Sequence, residues 1–377
     1  MLTEAQAMTR DMARRFAQER LLPTAPERDR TAQPPLDLLR EMGDLGLMGM
    51  CVPEEWGGAG TDFVSYVLAI EEIAAGDGAV STIMSVNNSL VCASILNYGT
   101  EEQKKRFLDP LARGQALGAF ALTEPQAGSD AAALEARAVD RGDHFALTGT
   151  KQFITSGSIA THALVFAVTD PEQGKRGISA FIVETDQPGW QIGRIEEKLG
   201  QHCSDTAQVV LDEARAGVDQ MLGARGDGYR IALANLEAGR IGIAAQAVGM
   251  ARAALEAAVD YARQRETFGK PIIQHQAVAF RLADMATQVE ASHQMVLHAA
   301  RLRDAGQPCL KEASMAKLFA SEAAERVCSD AIQVHGGYGY VADFPVERIY
   351  RDVRICQIYE GTSDIQRMVI SRALGAG

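Results

Sequence analysis

Glu360 is a candidate general base because of the segment in which it lies, Tyr359-Glu360-Gly361-Thr362-Ser363-Asp364. Gly361 permits an unusual backbone angle, and Thr362 or Ser363 can cap a following helix, with Gln366 in capping-box position. A carboxylate fixed at such a turn can accept a proton from a bound substrate. The same pattern also fits an acid that complements a helix dipole, so the segment alone leaves both interpretations open.

A second candidate segment is the loop of residues 123–130, Thr-Glu-Pro-Gln-Ala-Gly-Ser-Asp, which follows a predicted strand. Its backbone N–H groups and the hydroxyls of Thr123 and Ser129 can turn toward a polar ligand. A surface turn with an Asx-type hydrogen bond at Asp130 explains the same residues.

Two further segments could approach a cofactor. Residues 333–340, Gln-Val-His-Gly-Gly-Tyr-Gly-Tyr, offer glycines where a ligand can come close to the backbone. They follow a helix rather than a strand, so they do not predict a dinucleotide-binding turn. Arg265 ends a long predicted helix, where its guanidinium either complements the helix C-terminus or reaches a pyrophosphate.

Composition excludes several classes of function. The 377 residues include 37 basic and 49 acidic ones, a net charge of −12 without a Lys/Arg cluster, so no nucleic-acid partner is expected. Residues 241–259 are apolar but interrupted by polar residues, which predicts a buried helix and no membrane span. The cysteine and histidine spacings predict neither disulfides nor a metal site. No targeting peptide is recognisable, so we expect a cytoplasmic protein.

Hydrophobic periodicity divides the chain into three parts, an α+β organisation. Residues 1–117 have helical spacing, residues 118–227 form short β-branched and aromatic segments, and residues 228–377 return to helical spacing. The short connectors of the middle part predict an antiparallel β domain. In the last part, one helix is predicted to run almost unbroken to Phe268-Gly269-Lys270-Pro271. The next buries a stripe that includes Val278, Met285 and Val296, as in an antiparallel bundle.

Together, these segments resemble the acyl-CoA dehydrogenase family, flavoproteins that oxidise acyl-CoA thioesters to 2-enoyl-CoA. The resemblance extends over nearly the whole chain and rests on six segments in the order of the family: Val52–Gly58, Ala121–Asp130, Lys151–Thr155, Arg240–Gly269, Gln333–Gly339 and Tyr359–Gln366. It implies an N-terminal α-helical domain, a middle antiparallel β-barrel domain and a C-terminal four-helix bundle. It also implies FAD bound between domains and across subunits, a homotetramer that is a dimer of dimers, or a dimer, and electron transfer to an electron-transfer flavoprotein.

The resemblance assigns the catalytic base to Glu360. Some relatives instead place the base immediately before the arginine that is Arg240 here, but this chain has Gly239 there, which cannot take a proton. The pattern therefore resembles the short-chain and short-branched-chain members, for which straight C4–C6, isobutyryl-like and 2-methylbutyryl-like chains are all compatible. On the substrate side, the resemblance implies contacts from Ser129, Glu237, Arg240 and Gly361.

The resemblance also implies the residues that contact FAD. They are Phe120, Leu122, Thr123, Gly128, Ser129, Phe153, Ile154, Thr155, Arg265, Gln276, Gln333, Val334, Gly336, Gly337, Thr362, Ser363 and Asp364. Arg265 and Gln276 match residues at the pyrophosphate and adenine end, and the stretch 333–337 matches one that a neighbouring subunit contributes. Two alternatives stay open: an acyl-CoA oxidase or related flavin oxygenase on the same scaffold, and a non-catalytic helical binding protein.

Overall fold

The first part of the chain is helical, as its hydrophobic spacing predicts. The computed structural model describes residues 2–375. Thr3 begins the first helix with a capping box, since its side chain accepts a hydrogen bond from the Gln6 N–H and the Gln6 side chain accepts one from the Thr3 N–H. The helices of this part are α1 (Glu4–Phe16), α2 (Ala25–Thr31), α3 (Leu36–Asp44), α4 (Phe63–Gly76), α5 (Gly78–Ser85), α6 (Ala93–Tyr98), α7 (Glu101–Gln103) and α8 (Asp109–Ala112).

One helical segment of this part, Gly78–Tyr98, is long and apolar enough to cross a membrane by length and composition. It consists of α5, a π-helical stretch (Val86–Cys92) and α6. Within the protein, however, 89% of its apolar window is buried. That burial is the packing of a core helix, and polar side chains on it, including Asn87 and Asn88, hydrogen-bond to neighbouring backbone carbonyls.

The middle part forms one eight-stranded sheet. Seven of its strands have the hydrogen-bonded order β6-β7-β3-β2-β4-β5-β8, and the eighth, β1, pairs with β4. The strands are β1 (Gly118–Ala121), β2 (Arg137–Asp140), β3 (His144–Thr155), β4 (His162–Val168), β5 (Ile178–Glu184), β6 (Trp190–Ile195), β7 (Thr206–Gly217) and β8 (Met221–Leu222).

The sheet is mixed, which corrects the prediction of a purely antiparallel domain. β1 pairs with β4 in parallel, and Arg137 of β2 pairs with Val168 of β4 in the same sense. The prediction considered only connectors between strands adjacent in sequence. The chain from β1 to β4 instead passes through β2 and β3, and this long excursion supplies the crossover that a parallel pair needs.

The last part returns to helix with α9 (Gly228–Gln264), α10 (Gln276–Asp304), α11 (Leu310–His335), α12 (Val346–Val353) and α13 (Ser363–Ala373). Helices α9, α10 and α11 pack against one another, α13 packs on α11, and α4 packs on α9 and α10. The predicted buried stripe of α10 is confirmed at Met285 and Val296, which are fully buried, while Val278 packs partly buried against the core.

Helix α9 ends before the predicted stop at Phe268-Gly269. Its last residue is Gln264, and a short hairpin of β9 (Glu266–Thr267) and β10 (Lys270–Pro271) follows. Phe268 and Gly269 both have positive φ, +52° and +77°. Two such residues form the tight turn of a hairpin and cannot continue a right-handed helix.

Candidate active site

Glu360 lies on a turn of unusual backbone geometry immediately before α13. Its φ is +52° and that of Gly361 is +93°, a left-handed conformation that is uncommon for a residue other than glycine. Thr362 caps α13 by accepting a hydrogen bond from the Ile365 N–H at 3.3 Å, which confirms the predicted helix start. Gln366 does not complete a capping box: its side-chain amide instead donates to the carbonyl oxygens of Gly361 at 2.8 Å and Glu360 at 3.4 Å.

The Glu360 carboxylate points at α9, where it fills the space beside Gly239. A methyl group on Gly239 would lie 1.8 Å from Oε2 of Glu360, far inside van der Waals contact. Oε2 is buried and has no hydrogen-bond partner among the described residues. One carboxylate oxygen is therefore free to accept a proton from a group placed beside it.

Burial and two cations set the protonation of this carboxylate. Burial raises the pKa of Glu360 to about 7, while the positive charges of Lys317 and Arg240 act in the opposite direction. Burial lowers the pKa of Arg240, against the effect of Glu360 and Glu237, and its buried Nε has no partner within residues 2–375. A base with a pKa near the operating pH suits general-base catalysis.

Lys317 is a residue of this site that the sequence analysis missed. It is 1% exposed, and its Nζ donates to the Gly361 carbonyl oxygen at 2.5 Å. A signal was present in the sequence, because Lys317 lies at helical spacing between alanines of α11, Ala313, Ala320 and Ala324, which are all buried. A lysine on an otherwise apolar stripe needs a polar partner in the interior.

A buried hydrogen-bond network holds Tyr359, the residue before Glu360. The Tyr359 hydroxyl donates to Oε1 of Gln246 on α9. The Gln246 amide in turn donates to Ser81 Oγ at 2.8 Å and Thr82 Oγ1 at 2.6 Å on α5. Gln246 is one of the polar residues that interrupt the apolar stretch 241–259, and this network accounts for a polar side chain at that position.

Glu237 and Arg240 share one face of α9 by their spacing of three residues, but their contacts differ. Glu237 Oε1 accepts a hydrogen bond from Cys309 Sγ at 3.4 Å and lies 3.7 Å from Arg303 Nη1. The Glu237 carboxylate therefore faces the junction of α10 and α11.

The middle sheet brings the segments 120–129 and 151–155 together. The Gln152 N–H donates to the Thr123 carbonyl at 2.8 Å. Lys151, which is fully buried, donates to Glu124 Oε1 at 2.7 Å and to the Leu122 carbonyl at 3.2 Å. This buried pair, which the sequence analysis did not identify, fixes the strand end from which the loop of Gly128 and Ser129 departs.

Phe153 projects from this junction. The register of β3 against β7 shifts between Lys151 and Ile154, and Phe153 in this bulge has a φ of +58° and is 62% exposed. Ile154 is buried and Thr155 half-buried. Gly128 and Ser129 are exposed, and a Cβ on Gly128 would meet nothing within 4 Å. Phe153, Gly128 and Ser129 are therefore exposed near this junction, whereas Phe120 packs on Phe166 with ring centroids 4.9 Å apart.

A third group of predicted residues lines a separate cavity of about 630 Å³. Its walls include Arg265, Val334, Gly336 and Gly337 from the predicted set, together with aromatic residues such as Tyr261 and Tyr338. The Arg265 guanidinium lies 5.9 Å from the centroid of the Tyr338 ring. The lining does not include Gln276 or Gln333. Both are exposed and lie close in sequence to lining residues.

The cavity and Glu360 lie at different ends of α11. Lys317, which contacts Gly361, and Val334, which lines the cavity, belong to the same helix. A rise of 1.5 Å per residue separates them by about 26 Å along the axis. The structure thus divides the predicted residues into a site at Glu360, an edge of the middle sheet and a distant cavity.

Three family models together match most of the chain. The acyl-CoA dehydrogenase N-terminal domain matches residues 3–115, the middle domain residues 119–214 and the C-terminal domain residues 226–375. An acyl-CoA dehydrogenase of Bacillus subtilis is 51% identical over 376 residues, which cover 100% of this chain and 99% of that protein.

Solved structures have the same fold. A chain in a structure of the electron-transferring flavoprotein of Acidaminococcus fermentans superposes with a TM-score of 0.98 at 48% identity, covering 99% of this chain and 98% of that one. Butyryl-CoA dehydrogenase from Megasphaera elsdenii superposes with a TM-score of 0.97 at 43% identity and covers 99% of both chains.

Proposed function

Because this chain belongs to the acyl-CoA dehydrogenase family, we propose that it oxidises short or short-branched acyl-CoA thioesters to 2-enoyl-CoA. FAD is the cofactor of this oxidoreductase. The similarity to butyryl-CoA dehydrogenase supports a short acyl chain. The observation that carries the proposal is the buried Glu360 carboxylate, whose Oε2 has no partner among the described residues.

The residues present fit FAD. At the Glu360 site, the buried Ser363 Oγ and Gln366 Oε1 have no hydrogen-bond partners in the described part of the chain, and both can bind the polar groups of a cofactor. At the cavity, the Arg265 guanidinium suits a pyrophosphate, and Gly336 and Gly337 leave open space where a Cβ would stand. The exposed Phe153 and the loop at Ser129 offer an apolar and a polar contact to a flavin.

Glu360 acts as the base in the proposed reaction. Its carboxylate takes the proton from the α-carbon of the acyl chain, and the electron pair of that C–H bond becomes part of the new double bond. FAD, when bound, supplies the acceptor for the hydride that leaves the β-carbon. The pKa of about 7 makes the carboxylate a stronger base than an exposed glutamate while leaving it substantially ionised at neutral pH.

The turn at Glu360 also serves the thioester. Abstraction of the α-proton places negative charge on the thioester oxygen, and a donor fixed there is worth about 3–4 kcal/mol. We assign this donation to the Glu360 backbone N–H. Gly361 lets the substrate approach closely, because it presents no side chain, and Arg240 adds a buried positive charge near the base.

The position of the cavity supports a cofactor shared between subunits. Because Val334 of its lining lies about 26 Å along α11 from Lys317, which contacts Gly361, we assign the lining residues Arg265, Val334, Gly336 and Gly337, with nearby Gln276 and Gln333, to the FAD of a neighbouring subunit in a homotetramer. The similarity to the electron-transferring flavoprotein structure supports an electron-transfer flavoprotein as acceptor. We propose that the protein works in the cytoplasm.

Anaerobic bleaching of the flavin by a panel of acyl-CoA thioesters tests the function. We expect butyryl-CoA or a short branched thioester such as 2-methylbutyryl-CoA to bleach the flavin absorbance, and long straight chains to bleach it less. If no thioester changed the flavin absorbance, the proposal would be overturned in favour of a non-catalytic binding protein. Rapid aerobic formation of hydrogen peroxide would instead identify an acyl-CoA oxidase or related flavin oxygenase.

A further inference from the structure

A buried charge and a neutral amide hold the Glu360–Gly361 turn. The left-handed conformation at Glu360 is uncommon for a residue with a side chain, so neighbouring groups must maintain it. The Gly361 carbonyl accepts two hydrogen bonds, one from Lys317 Nζ at 2.5 Å and one from Gln366 Nε2 at 2.8 Å. Gln366 belongs to α13, which the turn itself leads into, whereas Lys317 lies on α11 and anchors the turn to a separate element.

Burying an ammonium group to donate a hydrogen bond to a carbonyl carries a large desolvation cost. Lys317 is 1% exposed, and burial lowers its pKa to about 8, against the effect of Glu360. A neutral amide could satisfy a carbonyl without burying a charge. The other fully buried lysine, Lys151, lies 2.7 Å from the carboxylate of Glu124. Lys317 instead contacts a backbone oxygen, the Gly361 carbonyl. The carboxylate that interacts with its charge belongs to Glu360, the residue before Gly361.

The charged and titratable groups that face Glu360 come from four elements. Lys317 on α11 and Arg240 on α9 favour its ionised form. Tyr66 on α4 and Cys356, in the segment before the turn, also interact with its charge, and burial keeps both of these neutral by raising the pKa of each. The two cations therefore offset only part of the effect of burial on this carboxylate, whose pKa stays raised. Of these two cations, Lys317 also hydrogen-bonds the backbone of the turn.

We propose that Lys317 is a positioning residue of the active site. Its ammonium anchors the Gly361 carbonyl to α11, and it thereby keeps the Glu360 carboxylate in the space beside Gly239 and places a positive charge next to the base. This inference rests on the proposed function for the role of Glu360 but concerns Lys317, whose hydrogen bond goes to the backbone of the turn. The competing interpretation is that Lys317 only completes the packing of α11.

Two neutral variants of the holoenzyme separate the charge from the hydrogen bond. Lys317→Met removes both and keeps the aliphatic stem, while Lys317→Gln keeps a donor for the Gly361 carbonyl. Lys311→Met is the matched control, since Lys311 lies on the same helix and its side chain is 42% exposed. The pKa of Glu360 is measured by infrared difference spectroscopy from pH 5 to 9, with Glu360→Gln identifying the carboxylate band. Steady-state pH profiles with butyryl-CoA and thermal unfolding accompany it.

In both neutral variants we expect the Glu360 pKa to rise by about one or more, because an opposite charge has been removed. We expect kcat to fall about 10- to 100-fold in Lys317→Met, since small displacements of a reacting group have effects of that size. KM and flavin content should change little, Lys317→Gln should retain more kcat, and Lys311→Met should match the wild type.

A folded Lys317→Met or Lys317→Gln protein whose Glu360 pKa and pH profile equal those of the wild type would overturn the proposal. If only Lys317→Gln folds, the same comparison decides the question. If none of the thioesters bleaches the flavin of the wild type, the proposed function fails. The spectroscopic titration still tests whether Lys317 controls the pKa of Glu360.

Discussion

The Glu360 carboxylate and a side chain on residue 239 cannot occupy the structure together. A methyl group on Gly239 would lie 1.8 Å from Oε2 and 2.8 Å from Cδ of Glu360. Gly239 is thus a steric requirement of the Glu360 carboxylate, which comes from a segment distant in sequence. The relationship gives a physical reason for the glycine, beyond its inability to take a proton.

Gly239→Ala should displace the base without unfolding the protein. The new Cβ forces the Glu360 side chain away from α9, and we expect kcat to fall about 100-fold, as for other displacements of about 1 Å. Gly242→Ala is the control on the same helix, because its Cβ would meet Ser85 Oγ and Tyr66 Oη at 3.1 Å, which a small shift relieves. Flavin bleaching by butyryl-CoA measures both. Equal activity of Gly239→Ala and the wild type would show that the carboxylate adopts another position during turnover.

Glu360→Gln should keep FAD and bind the acyl-CoA but lose most turnover. The amide has nearly the same shape but cannot accept the α-proton, and general-base catalysis is typically worth about 10²–10⁴-fold. Flavin content and thioester binding, followed by the visible spectrum, establish that the variant is intact. Bleaching at nearly the wild-type rate would contradict the assignment of the base.

The reaction rate should depend on the ionisation of Glu360. Since burial raises its pKa to about 7 and the ionised form is the base, we expect kcat/KM to rise with pH and level off above about 7. Glu360→Gln removes this titration, so its residual rate should lack this dependence on pH. A wild-type profile that is flat from pH 5 to 8 would contradict a titrating base in this range.

The same shift predicts a loss of stability with rising pH. The folded state holds the Glu360 proton more tightly than the unfolded chain, whose reference value is 4.5. The contribution to the free energy of unfolding is therefore full below about 4.5 and falls as pH rises through about 7, by at most roughly 3 kcal/mol. The difference in unfolding free energy between wild type and Glu360→Gln, measured by urea at several pH values, isolates it. If the unfolding free energy of the wild type minus that of Glu360→Gln increased with pH, the prediction would be contradicted.

Lys151→Met should destabilise the protein and loosen the loop of Ser129. It leaves Glu124 buried without its ammonium partner, although Glu124 still accepts the N–H groups of Glu135 at 2.6 Å and Ala136 at 3.0 Å. Breaking one side of a buried pair costs about 3–5 kcal/mol. The double variant with Glu124→Gln should recover part of that loss. Denaturant unfolding of the holoenzyme measures the change, and a single variant as stable as the wild type would refute the role of the pair.

Arg265→Ala should weaken retention of FAD. The guanidinium lines the cavity that we assign to the pyrophosphate, and its loss removes charge-assisted hydrogen bonds to it. Arg263→Ala is the control, because Arg263 lies on the last turn of α9 with a side chain 66% exposed. Flavin content after gel filtration distinguishes the two. A fully flavinated Arg265→Ala protein would count against this use of the cavity.

The sequence by itself predicted the order of helical, β and helical parts and indicated Glu360 as a candidate base. Hydrophobic periodicity reports local structure, so the predicted buried stripe of α10 and the Thr362 cap of α13 are both present. Where local rules did not apply, prediction failed. The parallel pairing of β1 with β4 depends on strands distant in sequence, and the end of α9 depends on two left-handed residues that helical spacing does not reveal.

Only the tertiary structure decided which residues work together. Lys317 and Gly361 are far apart in sequence and hydrogen-bond because α11 passes behind the turn. Gly239 and Glu360 meet because α9 and the segment before α13 pack face to face. Arg265 and Glu360 appear in the same predicted set, yet about 26 Å of α11 separates Val334, which lines the cavity with Arg265, from Lys317, which contacts the turn of Glu360. Sequence patterns specify chemistry at each position, whereas the packing of distant elements sets burial, and burial sets both the pKa and the partners of every group at the site.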